Sequence, residues 1–280
     1  MSPRATRTDA PPRATAHAPR RRRPLAPFAG LGAAVAVEAR KATASRVMAS
    51  TTVLLVAGIG ALALVMLLAA ASGEEQVLAK LGPLAGVPGW AGLVGVVLQI
   101  TAAAGLLAFG VALSWTFGRE FADGTVAALF GLPVSRAAIA LGKLLVYAAW
   151  SVGVAVALTA VVAVLGFAMG FGTTDAAGVG ELVRIPVLVV LSALIAVPAA
   201  WVATLGRGLL PGIAATIAII VVAQVSALAD VGAWVPLVAP ALWAIAPGTV
   251  PAAALVTVPS VPLVFGVLTT WAWSRLQLDR

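Results

Sequence analysis

The chain has 280 residues, of which 61% are hydrophobic and 10% charged, with a formal net charge of +8 and no cysteine. A water-soluble domain of that length needs far more polar surface, and the missing cysteines exclude disulfides and thiolate metal sites. Apolar runs longer than about 18 residues recur, so the fold expected is all-α, a polytopic membrane protein.

Residues 1–30 form a Pro/Ala-rich basic tail carrying Arg4, Arg7, Arg13 and the run Arg20 to Arg23. No aromatic rings alternate with these arginines, as a single-strand nucleic-acid surface would require. The tail reads as disordered cytoplasmic chain near anionic lipid headgroups, with no nucleic-acid partner. Glu38, Arg40, Lys41 and Arg46 interrupt the apolar sequence beyond the arginine run, so no cleaved export signal is expected. Residues 31–46 mix those charges with small apolar residues, which suits an amphipathic helix lying on the membrane surface. Ser45 is placed to cap the next helix.

Six spans are expected, at about 47–71, 89–115, 138–168, 184–204, 209–229 and 251–273. Residues 230–250 are apolar but cut by Pro236, Pro240 and Pro247. They are expected to form an interfacial or re-entrant hairpin, with a seventh span as the alternative. Residues 276–280 form a short C-terminus.

Charge sets the orientation. Six spans put both termini on one side with nearly all the basic residues, Arg119, Arg136, Lys143, Arg207, Arg275 and Arg280 among them. The opposite side keeps Lys80 and Arg184 beside Glu74, Glu75, Asp175, Glu181 and Asp230. Basic residues near short loops stay cytoplasmic. Both termini are therefore expected inside, with the chain multi-pass in the plasma (inner) membrane.

The segment after the second span, "FGREFADGTVAALFGLPVSRAAIALGK" at 117–143, gathers Arg119, Glu120, Asp123, Arg136 and Lys143 where the sequence around it is almost uniformly apolar. Phe117 and Phe121 lie four apart on one helical face. Gly124 should break that helix, Thr125 should cap a short helix over 126–132, and Pro133 should end it. Ser135 should cap the third span, with Arg136 and Lys143 in its first turns. An ordinary positive-inside loop accounts for Arg136 and Lys143 but less well for Glu120 and Asp123, since acidic groups near a membrane are costly without partners. Glu120 is expected to pair with Arg40, Lys41 or Arg136. Glu38, on the surface helix, is expected to matter much less.

The order F-x-x-E-x-x-x-G-T, L-P-V-S-R and a Lys seven residues on resembles the permease subunits of ABC-2 type transporters. Here it comprises Phe117, Glu120, Gly124 and Thr125, then Pro133, Ser135 and Arg136, then Lys143. The resemblance implies that the loop 116–137 docks on a separate ATP-binding subunit and that 31–46, with Glu38, Arg40 and Lys41, is the family's connecting helix. Arg119 and Asp123 fall within the same coupling loop. The chain lacks the G-x-x-x-x-G-K-[ST] phosphate loop, so ATP and Mg are expected on the partner and no cofactor on this chain. A permease homodimer, or a heterodimer with a second permease, is implied. The cargo expected is a small apolar or amphipathic compound, such as a drug or peptide antibiotic, or an ion.

Two other classes remain in play. A secondary transporter usually carries ionisable or broken-helix sites near the midplane, and the span interiors expected here hold no charge. An intramembrane metalloprotease would need a motif such as H-E-x-x-H, which is absent, although a Ser–Lys site is not excluded by residue type.

Overall fold

The computed structural model describes residues 26–173, 175–229 and 232–277. Most of the basic tail, Asp230 and Arg280 lie outside the described residues. Among the described residues there is no strand, and six helices are long and apolar enough to cross a membrane. The all-α expectation holds.

Helix α1 (Leu31–Thr43) comes first. The Ser45 hydroxyl then accepts from the Met48 N–H at 3.2 Å, as a serine N-cap should. It starts α2 (Arg46–Val53), which passes through a π-helical turn at Leu54–Gly58 into α3 (Ile59–Ala71). These three pieces form one crossing, Arg46–Ala71. The short α4 (Glu75–Leu81) and a 3-10 turn at Gly82–Gly86 lead into α5 (Gly89–Ala122). After α6 (Val126–Leu129) comes α7 (Arg136–Ala168), whose Ser135 cap accepts from the Ala138 N–H at 3.1 Å.

The fourth crossing has two parts, α8 (Ala176–Ile195) and α9 (Pro198–Leu205). Pro198 has no N–H to donate, so the helix breaks there. The buried Tyr147 hydroxyl donates to the Ala193 carbonyl at 2.9 Å, just before the break. Freed backbone at such a break needs this kind of partner in an apolar setting. Then follow α10 (Leu209–Ala227), a 3-10 turn at Gly232–Trp234, and α11 (Ala239–Ile245). The last crossing joins α12 (Ala252–Thr257) to α13 (Ser260–Arg275). Among the described residues, nothing between α10 and α12 is long enough to cross, and α11 packs on α8 and α5.

Helix α5 is the axis of the bundle. It packs against α3, α8, α9 and α10, with Phe109, Leu113 and Phe117 fully buried. Helix α7 packs against α8, α1 and α13. By contrast, Leu62, Val65 and Leu68 of α3 and Val221, Val222 and Val225 of α10 are exposed. Lipid tails suit such apolar faces as well as protein does.

Both described ends of the chain meet at one end of the bundle. The Ser135 N–H donates to Ala29 O at 3.0 Å. The Arg136 guanidinium donates to Leu276 O, and Arg207 Nη2 donates to Gln277 O at 3.2 Å. An even number of crossings requires that arrangement.

Candidate functional site

At the end of the bundle that holds both described chain ends, two carboxylates and two ammonium groups meet inside the protein. Glu38 and Lys41 come from α1, Glu120 from the last turn of α5, and Lys143 from the second turn of α7. Lys143 Nζ lies 2.7 Å from Glu120 Oε1 and 2.9 Å from Glu38 Oε2. Lys41 Nζ lies 2.7 Å from Glu38 Oε1 and 2.9 Å from Glu120 Oε1. Formal charges cancel within the four.

Burial makes the cluster different from surface ion pairs. Lys143 is 1% exposed, Glu120 2% and Glu38 6%, while Lys41 reaches the surface at 29%. Lys143 also donates to the Thr116 carbonyl at 3.2 Å, so each of its three ammonium protons has an acceptor. Its Nζ stands 5.9 Å from the ring centroids of both Phe117 and Trp273, at the limit of a cation–π contact. Glu120 Oε2 is buried and has no hydrogen-bond donor among the described residues. Burial pushes the Lys41 ammonium down, but hydrogen bonds and charge from Glu120 and Glu38 outweigh it, and its pKa rises above the ordinary 10.5.

Local sequence delivers each group. Ala34, Glu38 and Lys41 recur at helical spacing on the face of α1 that meets α7. That face fits closely because of Gly142. A Cβ there would lie 3.2 Å from both Ala34 Cβ and the Val35 nitrogen. Gly118 plays the same part on α5, where a Cβ would come within 2.6 Å of the Leu209 nitrogen. Phe117 and Phe121 both meet Trp273 edge-on at 6.0 Å, so α13 closes the remaining side.

The coupling-loop residues named from sequence divide into two sets. Phe117, Glu120 and Lys143 are buried together with Glu38, and Lys41 meets the carboxylates from the surface. Asp123, Gly124, Thr125 and Pro133 are exposed beyond the end of α5. Arg119 lies 4.5 Å over the Trp115 ring, and Arg136 lies 3.9 Å over the Phe130 ring.

Several expectations need correction. Glu120 pairs with Lys41, one of the three partners expected, and also with Lys143, which the sequence alone leaves to an ordinary basic loop. Arg40 is exposed, and Arg136 bonds the C-terminal segment instead. Glu38 is no peripheral surface charge, because α1 turns it into the bundle. Lys143 is buried in the second turn of α7, at the same end of the bundle as Glu120, rather than solvated on a loop. By contrast, α5 continues past Trp115 in helical rhythm and is broken at Gly124, whose φ is 68°, as the sequence leads one to expect. Helix α6 is four residues, shorter than 126–132. The Thr125 hydroxyl does not cap it but donates back to Glu120 O at 3.4 Å.

The family model for the ABC-2 family transporter proteins matches residues 34–223. The chain belongs to that family. The match takes in most of α1, the cluster and the loop beyond it. No match was found among curated proteins or among solved structures. The chain is thus a multi-spanning membrane protein of a transporter family whose permeases work with an ATP-binding subunit.

Proposed function

We propose that this ABC-2 protein is the permease subunit of an ATP-driven exporter, and that its ATP-binding partner docks on the loop between α5 and α7. The observation that carries the reading is the buried, charge-neutral cluster of Glu38, Lys41, Glu120 and Lys143. It clamps α1, α5 and α7 directly behind that loop. A force applied to Asp123, Gly124 or Pro133 would reach two long membrane helices and α1 through one rigid joint. Ion pairs this buried contribute little net stability against apolar replacements, but they are costly to break singly. Such a joint suits the transmission of motion better than simple reinforcement.

On this reading ATP and Mg belong to the partner, no cofactor binds this chain, and the assembly is two permeases with two ATP-binding subunits. The end of the bundle holding the cluster is cytoplasmic in the plasma membrane, as the basic residues there favour. The cargo is a small apolar or amphipathic compound or an ion. This chain does no covalent chemistry.

The test is to co-reconstitute the permease with its ATP-binding subunit and to measure transport and cargo-stimulated ATP hydrolysis at matched assembly. Glu120→Ala and Lys143→Ala should each assemble yet lose both activities. Full activity in an assembled Glu120→Ala complex would sink the coupling role. Orientation has its own test, made simple by the absence of cysteine. A cysteine at Asp123, which is exposed, should be protected from an impermeant thiol reagent added outside intact cells, while one at Gly73 should react. The reverse pattern would invert the topology.

A further inference from the structure

An open groove of about 980 Å³ lies beside the loop between α5 and α7, at the end of the bundle that holds both described chain ends. Phe28, Leu132 and Val134 line it from the chain ahead of α1 and from the loop, and Val267 and Trp271 line it from α13. Arg136, the first residue of α7, lines it as well. Phe28, Leu132, Val267 and Trp271 are all exposed.

Depth in the membrane and charge decide the occupant. Val267 lies eight residues before the end of α13 at Arg275, about 12 Å along the crossing at 1.5 Å per residue. Leu263 and Val264 continue the same exposed apolar face one turn further in. Trp271, one turn from the helix end, is placed as interfacial tryptophans are. The groove therefore runs from the lipid-facing side of a crossing to the headgroup level. A water-soluble subunit docking on the loop would leave the deep part bare.

The shallow part is basic. Arg136 stands over the Phe130 ring and gives Nη1 to Leu276 O, while Arg275 lies 4.7 Å over the Trp271 ring. Among the described residues, Arg136 Nε and Nη2 have no acceptor and the side chain has no carboxylate partner. A guanidinium with a free edge fits a phosphate. Basic groups at this level attract anionic headgroups. The arginines of the N-terminal tail carry the wrong sign to fill the place.

We infer that the groove holds one anionic glycerophospholipid, with its acyl chains against Val267 and Trp271 and its phosphate on Arg136. Such a lipid touches α13 and the loop at once, and so ties the position of the loop to the composition of the bilayer.

The test takes the full chain in detergent micelles without any ATP-binding subunit. Native mass spectrometry counts the lipids retained per chain as dioleoylphosphatidylglycerol or dioleoylphosphatidylcholine is titrated in. One phosphatidylglycerol should be retained per chain, and phosphatidylcholine, whose ammonium cancels the phosphate charge, should bind about fivefold more weakly, the scale of one basic group beside an anionic headgroup. Arg136→Gln should bring phosphatidylglycerol down to the level of phosphatidylcholine, and Arg136→Lys should keep most of its affinity. Ala137→Trp and Thr270→Trp, each adding a ring in the groove, should remove the bound lipid; two positions guard against one variant that fails to fold. Retention that survives both tryptophans in folded protein would overturn the site. Equal affinity for the two lipids, or an equal loss in Arg46→Gln, an exposed arginine at the start of α2, would mean diffuse attraction and overturn the role of Arg136. Tighter phosphatidylglycerol binding in Asp279→Asn would mean that this carboxylate, outside the described residues, competes for Arg136, and would overturn the lipid as its partner. Dimers that retain none while monomers retain one would overturn the site in favour of a second copy over the groove. Because no transport or ATP hydrolysis is read, failure here leaves the permease reading standing, and failure of that reading leaves this one.

Discussion

Two groups of charges sit at opposite ends of the same bundle, and they are built differently. Glu181 and Arg184 are three residues apart on α8, 3.4 Å from each other, and 31% and 14% exposed. Glu38, Glu120 and Lys143 are 6%, 2% and 1% exposed and come from three helices. The first pair is neighbourly by helix geometry and partly in solvent, where an ion pair contributes about 0–1 kcal/mol. The second exists only because three helices pack, and removing one member strands a charge away from water at about 3–5 kcal/mol. Proximity in sequence gives a cheap pair. Proximity made by packing gives one that ties the fold together.

The largest effect should come from Lys143→Ala. It leaves Glu38 and Glu120 sharing Lys41 alone, with a net charge of −1 inside the bundle. Thermal unfolding in nanodiscs should show a loss of about 3–5 kcal/mol. A loss below about 1 kcal/mol would place Lys143 with the exposed pair and erase the contrast.

The double variant Glu120→Leu with Lys143→Leu sharpens the comparison. It removes one charge of each sign, leaving Glu38 with Lys41 three residues along α1. Its cost should fall well short of the sum of the two single leucine variants, with a coupling energy of about 0.5–3 kcal/mol. Strict additivity would mean that the groups act independently. A double variant with near-normal stability but no transport would assign the cluster to coupling rather than to folding.

Gly142→Val probes the packing behind the cluster without touching a charge. The new side chain would push into Ala34 and the α1 backbone, costing about 1–3 kcal/mol by overpacking. A cysteine placed at Glu38 in a Gly142→Val background should become more reactive to thiol reagents than in the parent chain. Unchanged reactivity would mean that α1 is held by other contacts.

The smallest effect should be that of Glu181→Ala, within about 1 kcal/mol. Titration separates the regions no further at neutral pH. The Lys41 pKa is raised, so its stabilising share is complete below the unfolded value of about 10.4 and is lost only as pH climbs through the folded value above that. Stability of the parent chain minus that of Lys41→Met should stay constant between about pH 7 and 9. A change in that interval would show that a different group sets the titration of Lys41.

Much of this protein was legible in the sequence. The six crossings follow from apolar length alone, because a backbone in lipid must satisfy its own hydrogen bonds and a helix does so locally. The caps at Ser45 and Ser135 and the break at Gly124 are short-range chemistry, and each was found where its residue type predicts. Glu120 stood out as an acid with no reason to be there. Its partners did not, because Glu38 and Lys143 are 105 residues apart and nothing local says which face of α1 turns inward. A usable signal was present in the helical spacing of Ala34, Glu38 and Lys41, which puts an acid and a base on one face with a small residue. Helix rotation about its own axis is decided by packing, here by the missing side chain of Gly142, and only the assembled bundle could turn Glu38 from a surface charge into one half of a buried joint.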